Sequence, residues 1–247
     1  MEAVNYKIHP ICLGYREMCE KSAFTYRKDC GVPITAAYLV YLLIGGGRHV
    51  LVDSGAPRPE LAAKMTYPRL SDARHLEDEL EKRGVSCGDV EAVILTHLHW
   101  DHCYNLELFP QARVFVQTKE LLHAVNPSGY DRYFYVATPG EGLPGWMTAF
   151  AQLERLDGEA QLFPGIRVFP TPGHSPGQMS VAVSTEEGTY VIASDLIPLY
   201  ENYEFGIPNG IALSFAEWYE SYERLRAMGA AVLPGHDPKV LERDIYG

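Results

Sequence analysis

The run His97-Leu98-His99-Trp100-Asp101-His102 follows directly on the apolar stretch Ala92-Val93-Ile94-Leu95 and packs four candidate metal ligands into six residues. Neutral imidazoles and a carboxylate are the donors that suit a borderline-soft divalent ion such as zinc. A buried Asp beside three His is costly unless a cation compensates it. For the hexapeptide alone, a His-rich solvated loop at a strand end is the plainer alternative. Three further places repeat one signature, a strand-like run ending in a sharp turn that presents a potential ligand: Thr171-Pro172-Gly173-His174-Ser175-Pro176-Gly177, Ser194-Asp195, and Pro234-Gly235-His236-Asp237. Each alone is weak, since a His after a strand is more often simply hydrogen-bonded and an Asp there is often a helix cap.

The elements that must position these residues are mostly strands. Apolar runs of strand length, rich in Val, Ile and Tyr, are expected at 34–44, 48–53, 91–96, 113–117, 166–171, 178–184, 189–194 and 230–233. Gly45-Gly46-Gly47 lies where a hairpin needs residues tolerant of positive φ, and no helix follows that would make it a phosphate loop. Helical patterns fall at 71–83, with Ser71 as N-cap and Gly84 as stop, at 118–125, and at 214–228. In the last of these, Ser214 and Glu217 form a capping-box pattern, and Phe215, Trp218, Tyr219, Tyr222 and Leu225 make a core-facing stripe. Strands outnumber helices, which predicts an α/β sandwich with sheets inside and helices outside. The aromatic, Gly- and Pro-bearing stretch 126–148 is too long for an ordinary connection and reads as a lid over a pocket; packing without function is the alternative. The irregular stretch Tyr200 to Gly210 is similarly aromatic and could border the same cavity.

The 247 residues show no composition break or long linker, so one compact domain over 1–247 is expected. A formal charge of -11 disfavours a nucleic-acid partner. No apolar run is long enough to span a membrane, and the N-terminus lacks the pattern of a secretion signal. Five cysteines, odd in number and without C-x-x-C spacing, point to a reducing cytoplasm rather than to a disulfide framework. Cys103 adjoins the His cluster, but a small buried thiol is its expected role over that of nucleophile. Exposed aromatics are equally compatible with a homodimer surface.

Taken together, the H-x-H-x-D-H box, the T-P-G-H turn, the later Asp195, the late Gly235-His236 and the early Asp53-Ser54-Gly55 turn resemble the metallo-β-lactamase superfamily, in its order and from about Val50 to His236. The resemblance implies an αββα sandwich with metals at the sheet edge. It puts one metal on His97, His99 and His174 and a second on Asp101, His102 and His236, with Asp195 bridging. Asp53 is then a residue that orients a ligand imidazole. Two divalent ions are implied, zinc first, with iron, manganese or cobalt also suited to such donors.

His99 stands where the oxygen-reducing di-iron branch has Glu, which favours hydrolysis. The absence of a Cys ligand near Asp195 and of a secretion signal argues against a true β-lactamase. The pattern is most similar to N-acyl homoserine lactonase-like enzymes, which open a lactone ring by attack of a metal-bridging hydroxide. The resemblance thus implies a lactone or ester as the small-molecule substrate, with Asp101 as proton relay and the aromatic lid over an acyl or aryl group. Those enzymes carry a Tyr three residues after the bridging Asp; this chain has Pro198, so Tyr200, or else Tyr203, is expected to take that role. Two rivals remain: a glyoxalase II-type thioesterase, which would want a basic cluster near the pocket, and a mononuclear-iron persulfide dioxygenase or a metal-binding protein without turnover.

Overall fold

In the computed structural model, residues 4–64, 70–136 and 143–247 are described. Two sheets form the centre. The first has six strands in the order β1 (Lys7–Glu20), β2 (Pro33–Gly45), β3 (Arg48–Val52), β4 (Ala92–Ile94), β5 (Arg113–Gln117) and β6 (Leu153–Leu156). Its first three strands pair antiparallel and the rest run parallel. The second sheet, in the order β11-β10-β9-β8-β7, comprises β7 (Ala160–Phe163), β8 (Ile166–Pro170), β9 (Met179–Thr185), β10 (Gly188–Ser194) and β11 (Ala231–Pro234); only the β10–β11 pair is parallel.

Period-2 alternation within the strands builds the layers. Leu39, Tyr41 and Leu43 of β2 face Val168, Val181 and Ile192 of the second sheet in a core between the sheets. The intervening Val40 and Leu42 turn to the other side, against helices α2 (Leu76–Glu81) and α3 (Thr118–Val125). A short helix, α1 (Pro59–Ala62), precedes these two, and α4 (Arg132–Val136) and α5 (Tyr200–Phe205) follow them. On the far face of the second sheet, Phe169 and Val191 meet Trp218 and Leu225 of α6 (Phe215–Met228). Each fully buried aliphatic or aromatic side chain contributes ~1.5–3 kcal/mol over its exposed state. The result is helix, sheet, sheet, helix, as expected.

All eight expected strands are present, within a few residues of the expected ends. The glycine triplet turns β2 into β3 with Gly46 and Gly47 at φ 58° and 74°. Helix α6 begins with the Ser214 hydroxyl accepting from Glu217 N at 3.2 Å, and Trp218 and Leu225 are buried, but Tyr219 is exposed. The helix expected at 71–83 is shorter: it starts after His75, because Ser71 is tied into a bridge with Tyr15. Helix α3 matches its expected 118–125 span. In the stretch 126–148, α4 and the fully buried Trp146 are ordered parts of the structure, while 137–142 lie outside the described residues.

Candidate metal centre

The chemistry-bearing turns gather at one edge because β3, β4, β8, β10 and β11 all end there, leading into Asp53, His97, His174, Asp195 and His236. Three sets of ligand atoms lie within 4.8 Å of one another: His97, His99 and His174; His97, His102 and Asp195; and Asp101, His102 and His236. All seven residues singled out in the sequence as ligands therefore converge. Asp195 stands between the outer two sets. Its Oδ1 is 3.3 Å from His102 Nε2 and 3.0 Å from His236 Nε2, and its Oδ2 is 3.4 Å from His174 Nε2. Asp101 Oδ2 sits 3.6 Å from His236 Nε2 and 3.8 Å from His102 Nε2.

Neighbouring groups decide which ring nitrogen of three histidines faces inward. His102 Nδ1 donates to Asp53 Oδ2 at 2.9 Å, and His236 Nδ1 donates to the Ala37 carbonyl at 2.8 Å, so each turns Nε2 toward the cluster. His97 Nδ1 lies 3.1 Å from the Thr96 hydroxyl, which in turn donates to Asp53 Oδ2 at 2.9 Å. Asp53 Oδ1 also accepts from Thr96 N at 2.7 Å. The early aspartate thus braces the box from behind, as expected, and at φ 63° it holds a backbone conformation that non-glycine residues rarely adopt.

The donor set fits a cation on its own terms. His97 Nε2, His99 Nε2, His102 Nε2 and Asp195 Oδ1 are buried polar atoms without a hydrogen-bond partner, and such atoms cost free energy unless something satisfies them. His99 Nδ1 and His174 Nε2 lie 2.9 Å apart on different loops, a separation that two lone pairs tolerate only around a shared proton or cation. Burial holds the imidazoles of His97 and His99 well below the ordinary range and that of His174 down to about 4, so these rings are neutral and ready to donate. Burial also opposes charge on His102 and His236, but the Asp101 and Asp195 carboxylates outweigh it and raise both. Burial likewise opposes charge on Asp195, yet the surrounding imidazoles hold its carboxyl well below the usual range. Burial lifts the Asp101 carboxyl. Oxygen and nitrogen donors in two sets joined by one carboxylate suit a pair of divalent ions.

A cavity of about 50 Å³ opens onto this cluster, walled by Phe24, Tyr38, Trp100, Phe134 and Ile211, with Asp101, Asp195 and Asn209 on its polar side. Closed small-molecule sites span ~300–1,000 Å³, so only a reacting group fits within this part. Tyr200 and Tyr203 are not among the lining residues. Asp237 accepts from Tyr200 N at 3.0 Å and turns α5 so that the Tyr200 phenol meets Tyr246, while the Tyr203 ring packs on Tyr222 at 6.0 Å. The expectation that either reaches the cluster is therefore not met, and Tyr38 and Tyr133 are the tyrosines at the cavity instead. Cys103 is buried, its pKa is raised by burial, and its thiol points at the Leu98 carbonyl, which suits packing and not attack.

Asn209 escaped the sequence reading. Asn209 Nδ2 donates to the Asp195 carbonyl at 2.8 Å and lies 3.0 Å from His174 Nδ1. Its signal was only a Pro-Asn-Gly turn. The Ser194 and Thr96 hydroxyls lie 3.0 Å apart, and a Cβ on Gly235 would come within 2.6 Å of Asp195 Oδ1, so the second sheet closes on the site only with a glycine there.

The family model described as the Metallo-beta-lactamase superfamily matches residues 31–236. The N-acyl homoserine lactonase AiiA of Bacillus thuringiensis subsp. kurstaki is 24% identical over 198 residues, covering 76% of this chain and 73% of that one. Metallo-beta-lactamase domain-containing protein 1 of Homo sapiens is 32% identical over 192 residues, 76% of this chain and 58% of its own. A solved structure of an N-acyl homoserine lactone hydrolase, with the product N-hexanoyl-L-homoserine bound at its catalytic metal center, superposes with a TM-score of 0.78 at 22% identity, covering 98% of this chain and 96% of that chain. With two sheets between helices, seven convergent ligand-type side chains and a family match across most of its length, this chain belongs to the metallo-β-lactamase superfamily.

Proposed function

We propose that the protein is a metal-dependent hydrolase that opens a lactone ring. The observation that carries this is Asp195, whose two oxygens face different histidine sets beside an aromatic-walled cavity. Similarity to N-acyl homoserine lactonases supports a lactone as substrate, and an acyl homoserine lactone, the signal degraded in quorum quenching, is the first candidate.

His97, His99 and His174 would hold one ion, Asp101, His102 and His236 the other, and Asp195 both. Zinc is the first choice for these donors. When bound, such a pair supplies a hydroxide nucleophile at neutral pH and polarises an ester carbonyl. Asp101, at the cavity wall, would take up a proton and return it to the departing alkoxide. Phe24, Trp100 and Phe134 wall the part of the cavity in which the reacting ester would sit. The five free cysteines support a reducing, cytoplasmic setting, and among the described residues no helix is long and apolar enough to cross a membrane.

The test is acid release in a pH-stat from acyl-homoserine, aliphatic and aromatic lactones, with S-lactoylglutathione in parallel. Turnover of at least one lactone class above the thioester is expected. Cleavage of the thioester alone would assign the glyoxalase II-type reaction instead, and oxygen uptake with one iron per chain the dioxygenase.

A further inference from the structure

Glu120, on the inner face of α3, is a charged side chain with no exposed surface. Its Oε1 accepts from Leu98 N at 3.0 Å and from the Tyr135 hydroxyl at 2.8 Å; its Oε2 accepts from the Ser175 hydroxyl at 2.8 Å and from Gly177 N at 2.9 Å. Four donors fill the full acceptor capacity of an ionised carboxylate. Burial raises the Glu120 carboxyl, and these donors offset that only in part.

The donors come from three separate segments, each next to a candidate ligand. Leu98 lies between His97 and His99, Ser175 follows His174, and the Tyr135 ring stands edge-on to His99 with centroids 4.6 Å apart. The approach is close enough that a Cβ on Gly177 would come within 2.1 Å of Glu120 N. Glu120 makes no direct bond to His102 or His236, whose Nδ1 atoms point instead at Asp53 and the Ala37 carbonyl. Asp53 touches both sets, through Thr96 beside His97 and through His102, whereas Glu120 grips the loops of His99 and His174.

Building on the metal reading above, we infer that Glu120 is a positioning residue: by gripping the loops of His99 and His174 together, it sets the metal affinity of the His97–His99–His174 set without setting that of the Asp101–His102–His236 set. His99 Nδ1 and His174 Nε2 lie 2.9 Å apart on different loops, a separation that needs a shared proton or cation, and a carboxylate bonded to both loops resists their separation. Buried charge that served stability alone would, on removal, weaken both sets together.

The experiment is competition of metal-free protein with a chromophoric zinc chelator, paired with the visible spectrum on adding Co²⁺, for wild type, Glu120→Gln and Ser175→Ala. Each is measured alone and in a His236→Ala background that cripples the second set. Glu120→Gln keeps the shape but replaces one acceptor oxygen by a donor. It is expected to weaken one of two binding events by about 10- to 100-fold, the range for groups that orient ligands, and the same loss should persist in the His236→Ala background. Ser175→Ala removes one bond without touching the charge and should weaken the same event by less. Equal weakening of both events in folded Glu120→Gln, or no weakening, would overturn the proposal while leaving the two-metal reading intact. Should Glu120→Gln fail to fold, unchanged affinity in Ser175→Ala overturns it. Wild type that binds no metal would overturn the metal reading and this proposal together.

Discussion

Asp53 Oδ2 receives the Nδ1 hydrogen of His102 at 2.9 Å and the hydroxyl hydrogen of Thr96 at 2.9 Å, so one carboxylate fixes the tautomer of one ligand and the loop that carries the next. Asp53→Asn turns one acceptor oxygen into a donor. It should lower metal affinity at the Asp101–His102–His236 set by about 10- to 100-fold. Metal content after dialysis against a graded chelator series reads this, and full retention would show that the brace is dispensable.

Gly235→Ala probes the approach of β11 to Asp195. The added methyl would lie 2.6 Å from Asp195 Oδ1 and 2.8 Å from Ser194 C, so either the carboxylate or the backbone must shift. A loss of ~1–3 kcal/mol in stability is expected from such crowding, together with loss of bound metal. A thermal melt paired with metal analysis checks it; an unaltered melt with both ions retained would contradict the close contact.

Substitutions at three tyrosines separate the cavity from the core. Tyr200→Phe removes a phenol that pairs with Tyr246, which should cost ~1 kcal/mol and leave kcat/KM on the preferred lactone nearly unchanged. Tyr203→Phe should likewise spare turnover. Tyr38 packs between His236 and Trp100, with ring centroids 5.7 and 5.5 Å away. Tyr38→Ala frees both and should lower kcat/KM by ~10²-fold. The opposite ranking would return the catalytic role to the tyrosines of α5.

Acid stability carries a signature far from the site. Glu187 accepts from Arg243 at 2.8 Å and from the Tyr190 hydroxyl at 2.7 Å, and these bonds lower its carboxyl to about 2. The folded value lies below the unfolded ~4.3, so the pair's contribution is present above about pH 4.3 and fades as pH falls toward 2. Denaturant midpoints of wild type and Glu187→Gln should differ at neutral pH and converge in that window. A gap that widened on acidification would reverse the sign.

The convergent residues were legible because His97, His99, Asp101 and His102 are contiguous and the other ligands each follow an apolar strand. Strand β1 was not. Its alternation is broken by register shifts at Cys12/Tyr15 and Arg16/Cys19, and Pro10 interrupts the pattern further. Edge strands β6 and β7 span four residues each and are half exposed, too short and too polar to stand out. Glu120 hides in an amphipathic helix, its only clue being that it shares a face with the buried Ala124. Tyr200 misled because spacing from Asp195 says nothing of how Asp237, accepting from Tyr200 N, ties down the start of α5.

Stepwise addition of Zn²⁺ to metal-free protein, with lactone opening followed at each step, tests the account most directly. Seven donors joined by Asp195 predict that activity climbs to a plateau at about two equivalents per chain, and that His174→Ala and Asp195→Ala both lower occupancy and abolish turnover. A plateau at one equivalent, turnover in the metal-free protein, or unchanged occupancy in both variants would contradict it.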